Sequence, residues 1–192
     1  MQESIFWIKF DADTLRHSDI CFQEQNIRIG KETIIGVGTT IMSSVVIKDN
    51  VTIGKNCIIG NFTLIREGVI IGDNVKIGSH NSIEPHASIG SQTRTQGHCM
   101  ISEHSKIGCD VFLGPYFNNP ADNTIGQPIG EYKPNPAIVM DNVRIGSKVV
   151  ITPGNVIGEG CIIGAGSVVT KDTTPHYLYY GNPAKKIRKV EE

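Results

Sequence analysis

The chain has 192 residues, 18 Lys and Arg against 19 Asp and Glu, a net charge of -1 and only 6% aromatic residues. This balance excludes a basic nucleic-acid surface and an acidic tail, and the length suits one domain. "SIFWIKF" is too short to span a bilayer and no signal-peptide pattern opens the chain, so a cytoplasmic protein without nucleic-acid or membrane partners is expected.

In chain order, a lead-in over residues 1–26 gives way to an aliphatic residue at every sixth position: Ile29, Ile35, Ile41 and onward through Ile89, then Thr95, Ile101, Ile107 and Leu113. A helix wants apolar residues every three or four positions and a simple strand every two, so a period of six means a short strand plus a corner. Thr95 alone breaks the run. Four residues after each aliphatic comes something small or β-branched, such as Thr33, Val45, Cys57 and Val75. Three hexads close a triangular coil of eighteen residues, aliphatics inside, and neighbouring coils pair as parallel strands. The pattern predicts an all-β parallel β-helix over 27–170, interrupted by an excursion at 114–138 and followed by a C-terminal tail at 171–192. About seven coils at 4.8 Å give a prism of about 34 Å. Cys57, Cys99 and Cys161 fall on the inward small position and read as core thiols of a reducing compartment.

Eighteen residues per coil lets the corners be read as columns. The hexads at 35, 53, 71, 89 and 107 are each followed by glycine, a structural column. A second corner collects Arg66, Glu67, Glu84, His86, Glu103 and His104, and a third stacks Ser44, Phe62, His80, His98 and Tyr116. The excursion "GPYFNNPADNTIGQPIGEYKPNPA" is expected to leave from this third corner, and its length and Pro, Asn and Gly content suggest a functional loop. Polar side chains have replaced glycine at both corners, which marks them as site candidates.

The hexads, the sequence from Phe112 to Pro115 before the excursion, and the ending "IGAGSVVTKDTTPHYLYYGNPAKKI" resemble the hexapeptide-repeat (left-handed β-helix) acyltransferases over almost the whole chain. Within them the chain is most similar to nucleotide-sugar 3-N-acetyltransferases. The resemblance implies a left-handed coil and a homotrimer with clefts between prisms. It also implies acetyl-CoA as cosubstrate and a nucleotide-linked amino sugar as acceptor, in cell-surface polysaccharide biosynthesis. It places the cosubstrate against Gly164, Ala165 and Gly166, with Lys171, Lys185 and Arg188 for phosphates, and needs no metal. Aligned without gaps, the family's amine-orienting asparagine falls on His80, and its Y-E-G motif on Ser102, Glu103 and His104.

Transfer from a thioester needs oriented partners, a proton acceptor near neutral pH and a stabilised oxyanion. His80 is assigned as proton acceptor and His98 as its neighbour or substitute. Arg66, Glu84, Glu103, His104, Tyr116 and Asn118 are assigned to the acceptor. An imidazole in place of asparagine keeps O-acetylation of a sugar hydroxyl open as an alternative. Zinc carbonic anhydrases on this repeat join three histidines across a subunit interface, a pattern these spacings do not match.

Overall fold

The computed structural model describes residues 21–22, 26–126 and 132–190. These form a parallel β-solenoid, consistent with a left-handed β-helix, and contain no helix. Two-residue strands recur every six residues and stack with a register of eighteen, as when Lys76 and Ile77 pair with Ile58 and Ile59 below and Arg94 and Thr95 above. The second residue of each strand points inward. Ile41, Ile59, Ile65 and Ile83 are fully buried, and the same positions on all three faces form one continuous core. Burying each such side chain contributes about 1.5–3 kcal/mol.

The strands fall on three faces. The first carries Thr40–Ile41, Ile58–Ile59, Lys76–Ile77, Arg94–Thr95, Phe112–Leu113, Arg144–Ile145 and Ile162–Ile163. The second runs from Arg28–Ile29 through Ser82–Ile83, Met100–Ile101 and Asn118–Asn119 to Val168–Val169, and the third from Ile34–Ile35 to Val156–Ile157. Corners turn through left-handed backbone, with φ between 55° and 58° at Asn56, Asn74 and His80. Corner threonines tie coil to coil: Thr39 Oγ1 donates to Gly54 O at 2.8 Å and accepts from Cys57 N at 3.0 Å. Cys57, Cys99 and Cys161 are free and buried, as the inward small position requires.

The turn count and two boundaries differ from the sequence reading. The second face has eight strands, hence eight turns rather than seven. The coil does not end at Leu113: Phe117 is fully buried and Asn118–Asn119 forms a further strand against Met100–Ile101, so the excursion begins at Pro120. Within the C-terminal tail, residues 177–189 form a hairpin over the last coil. Tyr177–Gly181 extends the first face parallel to Ile162–Ile163, and Ala184–Lys189 folds back antiparallel on it, capping the last coil. Most of the lead-in lies outside the described residues, but Cys21–Phe22 pairs in parallel with Thr40–Ile41.

Candidate active site

The corner between the first and second faces presents a straight column. Phe62, His80, His98 and Tyr116 occupy one left-handed position in four successive coils, with φ of 57°, 58°, 59° and 62°. Coil spacing and ring-stacking distance nearly coincide, so the side chains stack. Phe62 and His80 centroids lie 4.9 Å apart, His80 and His98 4.8 Å with the planes 1° from parallel, and His98 and Tyr116 4.9 Å. All four residues are exposed. Above Tyr116 the column continues with Lys148 and Gly166, as Lys148 N bonds to Pro115 O and Gly166 N to Ser147 O. Lys148 does not show in the sequence columns because the excursion shifts the eighteen-residue spacing to 32, as between Phe112 and Arg144.

Gly164, Ala165 and Gly166 therefore stand on the histidine corner, Gly166 three rungs above His98, or about 14 Å at one coil per rung. A Cβ on Gly166 would meet nothing within 4 Å, whereas one on Gly164 would lie 2.8 Å from Tyr180 Cβ. Gly166 thus leaves open surface, while Gly164 lets the C-terminal hairpin close on the coil. Lys171 is exposed beyond the last coil, and Lys185 and Arg188 are exposed on the outer strand of the hairpin. Lys186 Nζ sits 3.6 Å from the Tyr177 ring centroid, a cation–π contact on the same hairpin.

The corner between the second and third faces is acidic. Arg66 pairs with Glu67 at 3.1 Å and with Glu84 at 3.4 Å, and Ser82 Oγ donates to Glu84 at 2.6 Å. The Arg66 guanidinium holds the Glu67 carboxyl below the usual carboxylate range. His86 and His104 stack at 5.1 Å along the same corner. The excursion leaves from here, one strand later than expected, and not from beside His80 and His98. It folds back so that the Tyr132 hydroxyl donates to Glu103, which pushes the Tyr132 pKa up to about 12. Together they bound a cleft of about 420 Å³ lined by Arg66, Glu84, Met100, Ser102, Glu103 and Tyr132.

The structure thus gathers Arg66, Glu84 and Glu103 into one cleft, with His104 on the same corner, but separates them from His80, His98 and Tyr116 by the width of the second face. Asn118 lies on that face, between Met100 and Val150, with its Oδ1 buried and without a hydrogen-bond partner. Tyr132 and Met100 were not legible as site residues: one is 29 residues from its partner, the other an ordinary outward strand position.

The family description "Bacterial transferase hexapeptide (six repeats)" matches residues 32–67, 50–85 and 136–171. A putative acetyltransferase of Schizosaccharomyces pombe is 46% identical over 92 residues, covering 44% of this chain and 43% of the relative. The galactoside O-acetyltransferase of Escherichia coli is 39% identical over 93 residues, covering 45% and 44%. The matched stretch thus spans less than half the length of these relatives. Among solved structures, UDP-N-acetylglucosamine acyltransferase from Campylobacter jejuni shares the fold with a TM-score of 0.60 at 19% identity, over 90% of this chain and 74% of that one.

Proposed function

We propose that this hexapeptide-repeat chain is an acetyltransferase that carries the acetyl group of acetyl-CoA to an amino group of a nucleotide-linked sugar and works as a homotrimer. The observation that carries the reading is the shared column: two exposed imidazoles and, three rungs above, the side-chain-poor Gly164–Gly166 surface. Acetyl-CoA laid along that corner has its thioester toward His98 and His80 and its phosphates toward Lys171, Lys185 and Arg188. Relatives named as acetyltransferases support the reaction class. The acidic cleft, with two glutamates and an arginine, suits a polyhydroxylated acceptor bearing an amine.

In the reaction, the acceptor nitrogen attacks the thioester carbon and the C–S bond breaks. The nitrogen's proton passes to His80 and on to the departing thiolate, so the products are the acetamide and the free thiol of CoA. An imidazole accepts a proton at one ring nitrogen and donates from the other, as this relay needs.

Acetyl-CoA turnover against a panel of amino and neutral nucleotide sugars, read by mass spectrometry, tests the assignment. His80→Ala is expected to lower turnover by about 10² to 10⁴ with acetyl-CoA affinity hardly changed. Ala165→Trp, at an exposed position, should block acetyl-CoA while leaving the fold intact. Transfer to a sugar hydroxyl is the second reading, favoured by the imidazole at position 80. His80→Asn separates the two: activity survives with an amine acceptor and collapses with a hydroxyl. Full activity in the His80→Ala, His98→Ala double variant overturns the role of this corner.

A further inference from the structure

From Ile29 to Val169 the inward position of the two-residue strands holds Ile, Leu or Val at every strand but two: Thr95 and Asn119. Thr95 is 4% exposed and Asn119 fully buried. Each polar interruption lies beneath one of the two chemically furnished corners, and each bonds to the equivalent corner side chain, Thr95 as acceptor and Asn119 as donor. Asn81 Nδ2 donates to Thr95 Oγ1 at 3.0 Å, and Asn119 Nδ2 donates to Ser105 Oγ at 2.8 Å, partners fourteen residues apart in both cases. Asn81 directly follows His80, and Ser105 directly follows His104.

The Asn81 amide ties several parts of the histidine corner together. Its Nδ2 also donates to Gly78 O at 2.8 Å, where its own corner begins, and to Gln96 O at 3.0 Å in the coil above. Its Oδ1 accepts the N–H of Cys99, the residue after His98, at 2.6 Å. Stacking of coils does not require this: Thr39 and Thr93 join neighbouring coils through one hydroxyl each, and the inward residues fourteen positions on are Ile53 and Ile107. A polar residue in an aliphatic ladder gives up apolar burial, so its recurrence under both corners, at one spacing, calls for a role beyond coil stacking.

We propose that Asn81 and Thr95 are positioning residues that hold the His80 and His98 imidazoles in stacked register for acyl transfer, as Asn119 and Ser105 hold the acidic corner at the loop exit. At that exit Asn119 Oδ1 accepts the N–H of Ser102 at 3.2 Å, just before Glu103, where the next residue, Pro120, has no N–H to continue the ladder. The proposal rests on the acyl-transfer reading of the histidines, and its test separates the two.

Thr95→Val removes one hydroxyl at constant shape and restores an apolar ladder like that at Val139 and Val169. Asn81 Nδ2 keeps Gly78 O and Gln96 O as acceptors, so no donor is orphaned. Asn81→Thr installs the residue that Thr63 supplies one coil below. For both variants Tm is expected to be unchanged or raised. The imidazole proton resonances of His80 and His98, displaced by the ring currents of the stack, should move toward free-histidine positions. kcat should fall about tenfold with the KM for acetyl-CoA unchanged, within the ~10²-fold that a small misplacement costs. Thr95→Ser, which keeps the hydroxyl, should restore both resonances and kcat. A lowered Tm with unmoved imidazole resonances overturns the proposal in favour of a purely structural role. So do resonances and kcat that both stay at wild-type values. Resonances that move while turnover stays whole keep the positioning of the rings and overturn instead the acyl-transfer reading of this corner.

Discussion

Tyr132 and Glu103 show what one contact contributes at the residue scale. The phenol donates to a carboxylate that repels the phenolate, so its folded pKa stands at about 12 against an ordinary 10.0. A raised pKa means that the contact's stabilisation is fully present below pH of about 10 and is lost as the pH climbs through about 12. Tyr132 is exposed, so the contribution to global stability is small and the consequence is local. Ultraviolet titration of the tyrosines should show one phenol ionising near 12, and Glu103→Ala should return it toward 10. A wild-type titration with no late component sinks the contact. Glu103 was legible in the sequence because eighteen-residue arithmetic put it beside Glu84 and His104. Its partner was not, because a chain leaving the coil also leaves the arithmetic. The buried thiols behave as their positions require: burial pushes Cys99 up to about 11 and raises Cys57 as well.

At the scale of the element, the hexad is both the source of stability and the limit of what the sequence discloses. Ile71 is 1% exposed and paired in register with Ile53 and Ile89. Placing a carboxylate there forfeits about 1.5–3 kcal/mol of burial and adds the larger penalty of an unpaired buried charge. Ile71→Asp should therefore abolish cooperative unfolding by heat, followed by circular dichroism, while Lys55→Ala, at an exposed corner, should leave Tm unchanged. A folded Ile71→Asp protein contradicts the solenoid core. The same aliphatic rule explains both misplaced boundaries. Asn119 fills an inward position with a polar amide, so the strand that holds it reads as loop in the sequence and the expected exit falls six residues early. The C-terminal hairpin carries no hexad signal because the period of six stops at Val169. Its outer strand, Ala184–Lys189, carries four cations and no buried residue.

Over the whole molecule the three faces differ in charge, and that difference bears on how copies meet. The first face exposes Lys76, Arg94 and Arg144 and the third exposes Lys106. From Val46 to Val168 the second face points outward with Val46, Leu64, Ser82, Met100, Asn118, Val150 and Val168, without a charge, and it holds the unpaired Asn118 Oδ1. It lies between the histidine corner and the acidic corner, so one chain keeps those corners apart, whereas in the proposed trimer copies packed around this face would bring the histidine corner of one against the acidic cleft of the next. In a closed three-fold ring every cleft then draws its two halves from different subunits. Leu64→Glu should yield a folded monomer by light scattering with turnover lost. The sharper expectation comes from mixing. His80→Ala and Glu103→Ala proteins, each nearly inactive, are unfolded together and refolded at equal amounts, so that half of all subunits carry an intact histidine corner and half an intact Glu103. Roughly a quarter of the clefts then combine the two intact halves, and about that fraction of wild-type turnover should return. Activity that stays at the level of the separate variants, in mixtures shown by mass spectrometry to contain mixed trimers, means that both halves act within one chain and removes the shared cleft.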